Sequence, residues 1–504
     1  METLINRYSK EIKGVISCYD RIIITGTIPG ICFAEGMTSY LNNHNIRIFD
    51  YARFAEPYKE KIRENIQKIS EEQGVEITFV RHSTSRKEDI VKKIMKQTGR
   101  TSGIVSILSA MEACPTYKPW HNKKTGRTYL RGETGKCLHY YIYFVNEDYG
   151  YGYIRIPTWC PFRLQIYLNG HNILVHQLKQ RGIGYELVDN AFSNIEDFQQ
   201  AQQLADNLSI DSLREFINKL SDKYCPIFKD FSEEYHWSIM QAEYATDIVF
   251  KSKEFLQTIY EEIIATATHT VKPEDVSSFL GQKLHGNFTG AIDTHYQVRI
   301  EGKKTKHTMG NVSVKMYDKL GFILRIETTT TNVSFFKHYR TVEHRDKTKT
   351  KQLASMKKNI YSLRPLGELL LAANYRYLKF ISTIEDKHIG TRNIKKLSQP
   401  VVENNRTFKG FNVFHSEDLL VLETIMRGEF SIDGFRSKHL KKFLSVCTAS
   451  QISRILKRLR LHGLIKKIGK TYKYYITSFG RTLITAILKI KNLVLIPSLN
   501  YLRA

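Results

Sequence analysis

Cysteine pairs are missing from this chain. Its seven cysteines, at positions 18, 32, 114, 137, 160, 225 and 447, are odd in number and scattered, with no Cys-x-x-Cys. That excludes a zinc ribbon, offers no disulfide framework, and suits a reducing cytoplasm. The first residues, Met1 to Tyr8, lack the apolar core of a signal peptide. Long hydrophobic runs are absent too. The most apolar stretch, Leu483 to Leu499, is broken by Lys489, Lys491 and Pro497. It reads as a closing or dimerising helix, and no membrane partner is expected. Neither an internal repeat nor a long low-complexity tract is visible. Thr25-Gly-Thr-Ile-Pro-Gly30 lacks the Gly-Lys-Ser/Thr of a P-loop and the third glycine of a dinucleotide fingerprint, so a tight turn is expected there. Acidic residues are the minority, 50 against 76 Lys plus Arg, which leaves a formal charge of +26 over 504 residues. Such an excess attracts a polyanion and says nothing about fold. With 42% hydrophobic residues the chain can bury large cores, and its length suggests two to four domains.

The pattern along the chain predicts an α+β multidomain protein. In residues 1–125, candidate strands at Arg21–Thr25, Ile46–Asp50, Val75–Val80 and Gly103–Leu108 alternate with helices, which argues for an α/β domain on a mostly parallel sheet. Residues 126–360 read as a central antiparallel β-rich domain, with a helical insertion over about 194–265. Residues 361–405 supply a helix and a polar linker, and 406–504 a separate C-terminal module.

That last module carries the strongest signal. Thr448 and Gln451 have capping-box spacing, and Ile452, Ile455, Leu456 and Leu459 form one apolar stripe behind them. The other face presents Ser450, Gln451, Ser453, Arg454, Lys457 and Arg458. Gly463 supplies a helix stop, and two short alternating runs carrying Lys470, Tyr472 and Lys473 suggest a hairpin. Helices are also expected from Ser416 to Gly428 and over Arg436–Leu444. Three helices and a basic hairpin make a winged helix-turn-helix, and Gln451–Leu459 with Gly463–Lys467 resembles the MarR-like regulators. The resemblance covers the last fifth of the chain and implies binding to duplex DNA.

A second constellation is Lys315-Met-Tyr317-Asp318-Lys319 followed by Leu324-Arg325-Ile-Glu327. Alternation predicts a hairpin turning at Leu320-Gly321, with Lys315, Tyr317 and Lys319 on one face. These strands resemble the core of the rolling-circle replication initiators of plasmids and phages, which carry a basic-x-Tyr-Asp/Asn-Lys strand and an Arg-x-Glu strand. That resemblance implies Tyr317 as nucleophile and Lys315, Lys319 and Arg325 around the scissile phosphate. Glu327, with Asp318, would stand near a divalent metal, Mg²⁺ or Mn²⁺. The histidine-hydrophobe-histidine motif of many related nickases is missing. A second metal set, Asp20 and Glu112, would suit the paired-cation chemistry of RNase H-like nucleases and transposases.

Tyrosines are dense between positions 140 and 167, preceded by Lys118, Arg127, Arg131 and Lys136. Basic residues beside stacking aromatics suit single-stranded DNA or RNA, although alternation sends half of those rings into a core. The expected function is DNA binding by a mobile element or replicon, with metal-dependent strand cleavage in replication initiation or transposition. Two other readings stand beside it: a non-catalytic winged-helix regulator, and a protein that works with a structured RNA. A homodimer through the C-terminal helix is compatible with all three.

Overall fold

A computed structural model describes residues 3–82, 85–284, 290–299, 302–382, 387–469 and 471–500. The chain is mixed α/β and divides into two compact units, Met1–Ile384 and Glu385–Ala504. No helix among the described residues is long and apolar enough to cross a membrane.

The first unit is organised by its strands: β1 (Ile12–Thr27), β2 (Ile77–Phe79), β3 (Gly103–Asn122), β4 (Arg127–Asn146), β5 (Gly150–Pro157), β6 (Leu164–Leu168), β7 (Tyr185–Val188), β8 (Ala191–Ile195), β9 (His236–Phe250), β10 (Ile292–Arg299), β11 (Gly302–Met309), β12 (Val312–Lys319) and β13 (Ile323–Thr330). Eleven of them form one sheet in the order β10-β11-β12-β13-β9-β1-β6-β5-β4-β3-β2, and β7 and β8 make a separate hairpin. This sheet runs across position 125, because β3 pairs with β4 from Gly103 to Asn122.

The expected mostly parallel sheet does not form. Only β2 runs parallel to its neighbour β3, while the other pairings are antiparallel. The reason lies in the connections. Gly126 and Gly150 take positive φ of 65° each and turn the chain within a few residues, too short for the crossover that a parallel neighbour requires. Pro115 and Pro119 do not break β3, since beyond Ser109 its outer side has no partner strand. The segment read as a strand at Ile46–Asp50 is instead a turn, Ile48–Asp50, leading into the helix Tyr51–Gln73. Its Ile48 packs into the core beneath.

No repeat is visible in the sequence, yet the topology repeats. The long strands β1 and β9 lie side by side at the centre. Each leads through helices into a four-stranded meander whose last strand returns beside it: β3-β4-β5-β6 onto β1, and β10-β11-β12-β13 onto β9. One face of the sheet is apolar. Ile22, Ile24, Ile142, Ile154, Ile166, Ile248, Met316 and Ile326 are fully buried there, with Ile62, Ile66, Leu366, Leu370 and Tyr377 from the covering helices. The other face is covered at two places, by the helix Lys87–Thr98 and by the helix Gly170–Arg181 with the β7–β8 hairpin. Polar side chains lie between them.

The second unit has its own core, including Leu422, Ile425, Phe435, Leu440, Ile452, Leu456, Leu459 and Ile484. Helices at Ser416–Ile425, Gly428–Asp433, Ser437–Phe443 and Ala449–Leu461 precede a hairpin of Ile465–Lys467 with Tyr474–Ile476, then a helix over Ser478–Lys489. Thr448 and Gln451 form a capping box: Thr448 Oγ1 accepts from the Gln451 amide at 3.3 Å, and Gln451 Oε1 accepts from the Thr448 amide at 2.5 Å.

Candidate functional site

Three adjacent central strands and the first strand beyond them build a polar cluster on the open side of the sheet. Register places Arg325 opposite Asp247, Glu327 opposite Ala245 and Thr329 opposite Glu243 across β13 and β9. On the outer side, Lys315 faces Glu327 and Tyr317 faces Arg325. Asp20 enters from β1 by an irregularity. Tyr19 pairs with Tyr244 and Arg21 with Glu243, so Asp20 has no partner of its own; a bulge of this kind re-aims a side chain. Oxygens of Asp20, Glu243 and Glu327 thereby lie within 4.8 Å of one another. An all-oxygen set of this size could hold a hard divalent cation.

The surrounding bonds fix the carboxylates. Arg325 is fully buried and grips Asp247 with two bonds of 2.6 Å, while its Nη1 donates to Asp20 Oδ1 at 3.2 Å. Its Nη2 also donates to the Asn190 carbonyl at 3.0 Å, and Asn190 Nδ2 donates to Asp20 at 3.0 Å. Asn190 lies in the β7–β8 turn, so that hairpin braces the cluster. Lys315 Nζ donates to Glu327 Oε1 at 2.5 Å and lies 3.8 Å from Glu243. The Tyr317 hydroxyl donates to Glu327 Oε2 at 3.0 Å.

Charge is distributed unevenly among these groups. Burial and the neighbouring Glu327 carboxylate push Glu243 up to about 7. Burial also opposes ionisation of Glu327, but the Lys315 ammonium outweighs it and holds Glu327 below its ordinary value. Burial likewise opposes the charge on Asp20, and the Arg325 guanidinium overcomes it, so Asp20 stays ionised well below the usual carboxylate range. Tyr317 is raised well above the ordinary phenol value by burial and by Glu327. It is therefore protonated and donates to a carboxylate that is itself a weak base, so activation of the phenol needs added positive charge beside its oxygen, such as a bound cation.

Several residues expected from sequence meet here and others do not. Tyr317, Glu327, Lys319 and Asp20 lie in or beside the cluster. Lys319 Nζ contacts Asn190 and lies 3.5 Å from Asp189. Arg325 is present as well but has no exposed surface, so it positions Asp247 and Asp20 and does not reach a substrate phosphate. Asp318 does not join the cluster. Strand alternation turns it to the opposite side from Tyr317, and its Oδ1 accepts from the Gly321 amide at 2.9 Å, closing the hairpin turn. Glu112 is elsewhere on β3, bound by Lys87 at 2.7 Å, Arg155 at 3.0 Å and Tyr141 at 2.7 Å. Against the cost of burial, those bonds hold it down at about 2. Glu243 and Asp247 were missed because β9 falls inside the segment read as helical. Their four-residue spacing also fits one face of a helix, so only the partner strands reveal their role.

The tyrosine-rich strands divide between the two faces. Tyr140 and Tyr149 belong to the main core, and Tyr141 and Tyr143 are covered by the helix Lys87–Thr98. Tyr153 and Tyr167 remain partly exposed and stack at 5.2 Å, with the Arg21 guanidinium 5.6 Å from the Tyr167 ring. Arg21 also lies 3.9 Å from Glu243. A strip of aromatic and basic groups therefore begins at the carboxylates and continues across β6 and β5.

In the second unit, Ser450, Arg454 and Tyr472 are exposed, and Lys473 is half-exposed. Lys470 lies outside the described residues. Arg458 departs from expectation: it is buried, donates to both Asp418 oxygens at 2.6 and 2.8 Å, and stacks 3.8 Å from the Phe411 ring. It is an internal brace. Lys457 is half-exposed and paired with Glu403, an acidic partner brought in from the hairpin Val401–Glu403/Arg406–Phe408. Gln451 is engaged in the cap, and Ser453 Oγ donates to the Ala449 carbonyl at 3.1 Å. Ser450, Arg454, Tyr472 and Lys473 remain as the outward set.

No family model matches the chain, and neither a curated protein nor a solved structure matches it.

Proposed function

We propose that this chain is a divalent-metal-dependent DNA strand-cleaving protein, with a replication initiator's or transposition protein's type of chemistry. The observation that carries the reading is the convergence of Asp20, Glu243 and Glu327 around a tyrosine whose hydroxyl already donates to one of them at 3.0 Å. Asp20, Glu243 and Glu327 would hold Mg²⁺ or Mn²⁺, which when bound neutralises charge developing on the phosphorus. Tyr317 Oη attacks the phosphate while Glu327 takes its proton. The bond from phosphorus to the 3′ oxygen breaks, leaving a 5′-phosphotyrosine and a strand ending in a 3′ hydroxyl. The leaving 3′ oxygen takes its proton from solvent, while Glu243, whose free carboxyl burial pushes up to about 7, would be held ionised by the bound cation. Lys315 and Lys319 line the approach, and Arg325 keeps Asp20 and Asp247 in place.

We read the second unit as a winged helix-turn-helix that binds duplex DNA, with Ala449–Leu461 as its recognition helix. Its outward Ser450, Arg454, Tyr472 and Lys473 support this reading. The test is a nicking assay on supercoiled plasmid and on labelled single strands with Mg²⁺ or Mn²⁺. Wild type should cut and leave a covalent protein–DNA adduct on a denaturing gel. Tyr317→Phe should lose the adduct, and Glu327→Gln should lose both cutting and adduct. Tight duplex binding without any cutting would leave a regulator, and RNA retained on purification would favour the RNA-binding alternative.

A further inference from the structure

The open face of the sheet holds a cavity of about 300 Å³ on the side of β1 away from β12. Thr25, Gln165 and Arg155 form one row of its floor, opposite one another across β1, β6 and β5. His139, Trp159 and Arg163 also line it. Trp159 is fixed by its indole N–H, which donates to Thr116 Oγ1 at 2.8 Å. Burial first, and then the Arg155 charge, pushes His139 down to about 4, so its ring is neutral near pH 7. Arg155 donates to Glu112 at 3.0 Å and shares that carboxylate with Lys87. Arg163 anchors one end of its guanidinium on the Cys32 carbonyl at 2.8 Å. Its Nε is buried and has no hydrogen-bond partner. A buried unmet donor costs about 1–3 kcal/mol, so a shift of the Arg163 side chain that lets a ligand acceptor reach it is favoured.

An indole wall, a neutral imidazole and one unmet N–H suit a flat heteroaromatic ring that carries a carbonyl oxygen. They suit a bare phosphate poorly, because the Arg155 guanidinium is already bound to a carboxylate and an indole wall offers a phosphate no bond. Location narrows the ligand further. Thr25 is five residues along β1 from Asp20, about 17 Å at the rise of an extended strand. The stacked Tyr153 and Tyr167 lie on the same face. We propose that this cavity accepts one unstacked base of a DNA single strand crossing that face, and that it favours a base bearing a carbonyl oxygen over adenine. The proposal rests on the reading of this face as a single-strand site and does not require cleavage.

The test is fluorescence anisotropy with the full chain in EDTA, where metal-dependent cutting is off. The probes are a labelled dA12 strand and the same strand with one central guanine. The guanine strand should bind about tenfold more tightly, the scale of one specific hydrogen-bonded base contact. Arg163→Gln should bring that ratio to about one. A second readout needs no variant: central hypoxanthine, which keeps the carbonyl, should match guanine, while 2-aminopurine, which lacks it, should match adenine. Equal affinity for all four strands would overturn the proposal, as would a guanine preference that survives Arg163→Gln. Base preference without cutting in Mn²⁺ would remove the cleavage reading and keep the cavity. Cutting without base preference would do the reverse, and no single-strand binding at all would overturn both.

Discussion

Arg325 has no exposed surface and holds two buried carboxylates, Asp247 and Asp20. Removing one partner of a buried pair leaves the other charge uncompensated, which typically costs about 3–5 kcal/mol. Arg325→Met should therefore lower stability by about that amount in denaturant unfolding, whatever it does to cutting. Glu243 gives a pH-dependent prediction. Its folded value, about 7, lies above the ordinary 4.5, so between those pH values the folded chain holds a proton that the unfolded chain has lost. Stability of the metal-free protein should then fall as pH rises from about 4.5 to 7. Millimolar Mn²⁺ should offset that loss by favouring the ionised form, and Glu243→Gln should flatten both the pH slope and the Mn²⁺ effect in thermal melts. A melt indifferent to Mn²⁺ at pH 7.5 would count against the carboxylates as a cation site.

At the scale of elements, the two arginines of the helix Ala449–Leu461 separate binding from stability. Arg454→Ala should weaken duplex binding and lower the slope of log affinity against log salt by about 1, with little change in melting. Arg458→Ala should instead destabilise the second unit, because Asp418 and the Phe411 ring lose their partner. Equal effects of the two on melting would undo that division. The same contrast shows what a sequence can convey. The β12–β13 hairpin was legible because its alternation and its turn lie within about twenty residues. The capping box and apolar stripe of Ala449–Leu461 were legible for the same reason. Strand β9 was not: at the centre of the sheet it is apolar on one side and packed against the site on the other, so its pattern passes for a helix. Asp20 was noticed as an acidic residue, but the bulge that turns it toward Glu327 depends on β9 and could not be foreseen. The inward turn of Arg458 depends likewise on Asp418, forty residues away.

The molecule as a whole uses one topology twice and gives the two copies different chemistry. Beside β9, the strands β12 and β13 carry Lys315, Tyr317 and Glu327. Beside β1, the equivalent strands β5 and β6 carry Tyr153, Arg155, Gln165 and Tyr167, with no carboxylate. On the proposed reading, one copy would supply the groups that break a bond and the other those that grip a strand. Tyr153→Ala with Tyr167→Ala should accordingly reduce single-strand affinity by about 1–3 kcal/mol per lost stacked base, while leaving duplex binding by the second unit as it was. The central pairing of β1 with β9 has a further outcome in time. Asp20, Glu243 and Glu327 meet only after β13 has docked on β9, so a chain emerging from the ribosome has no complete site until more than three hundred residues have been made. On the proposed cleavage reading, synthesis itself then acts as a safety catch: an unfinished chain lacks the site that would cut DNA.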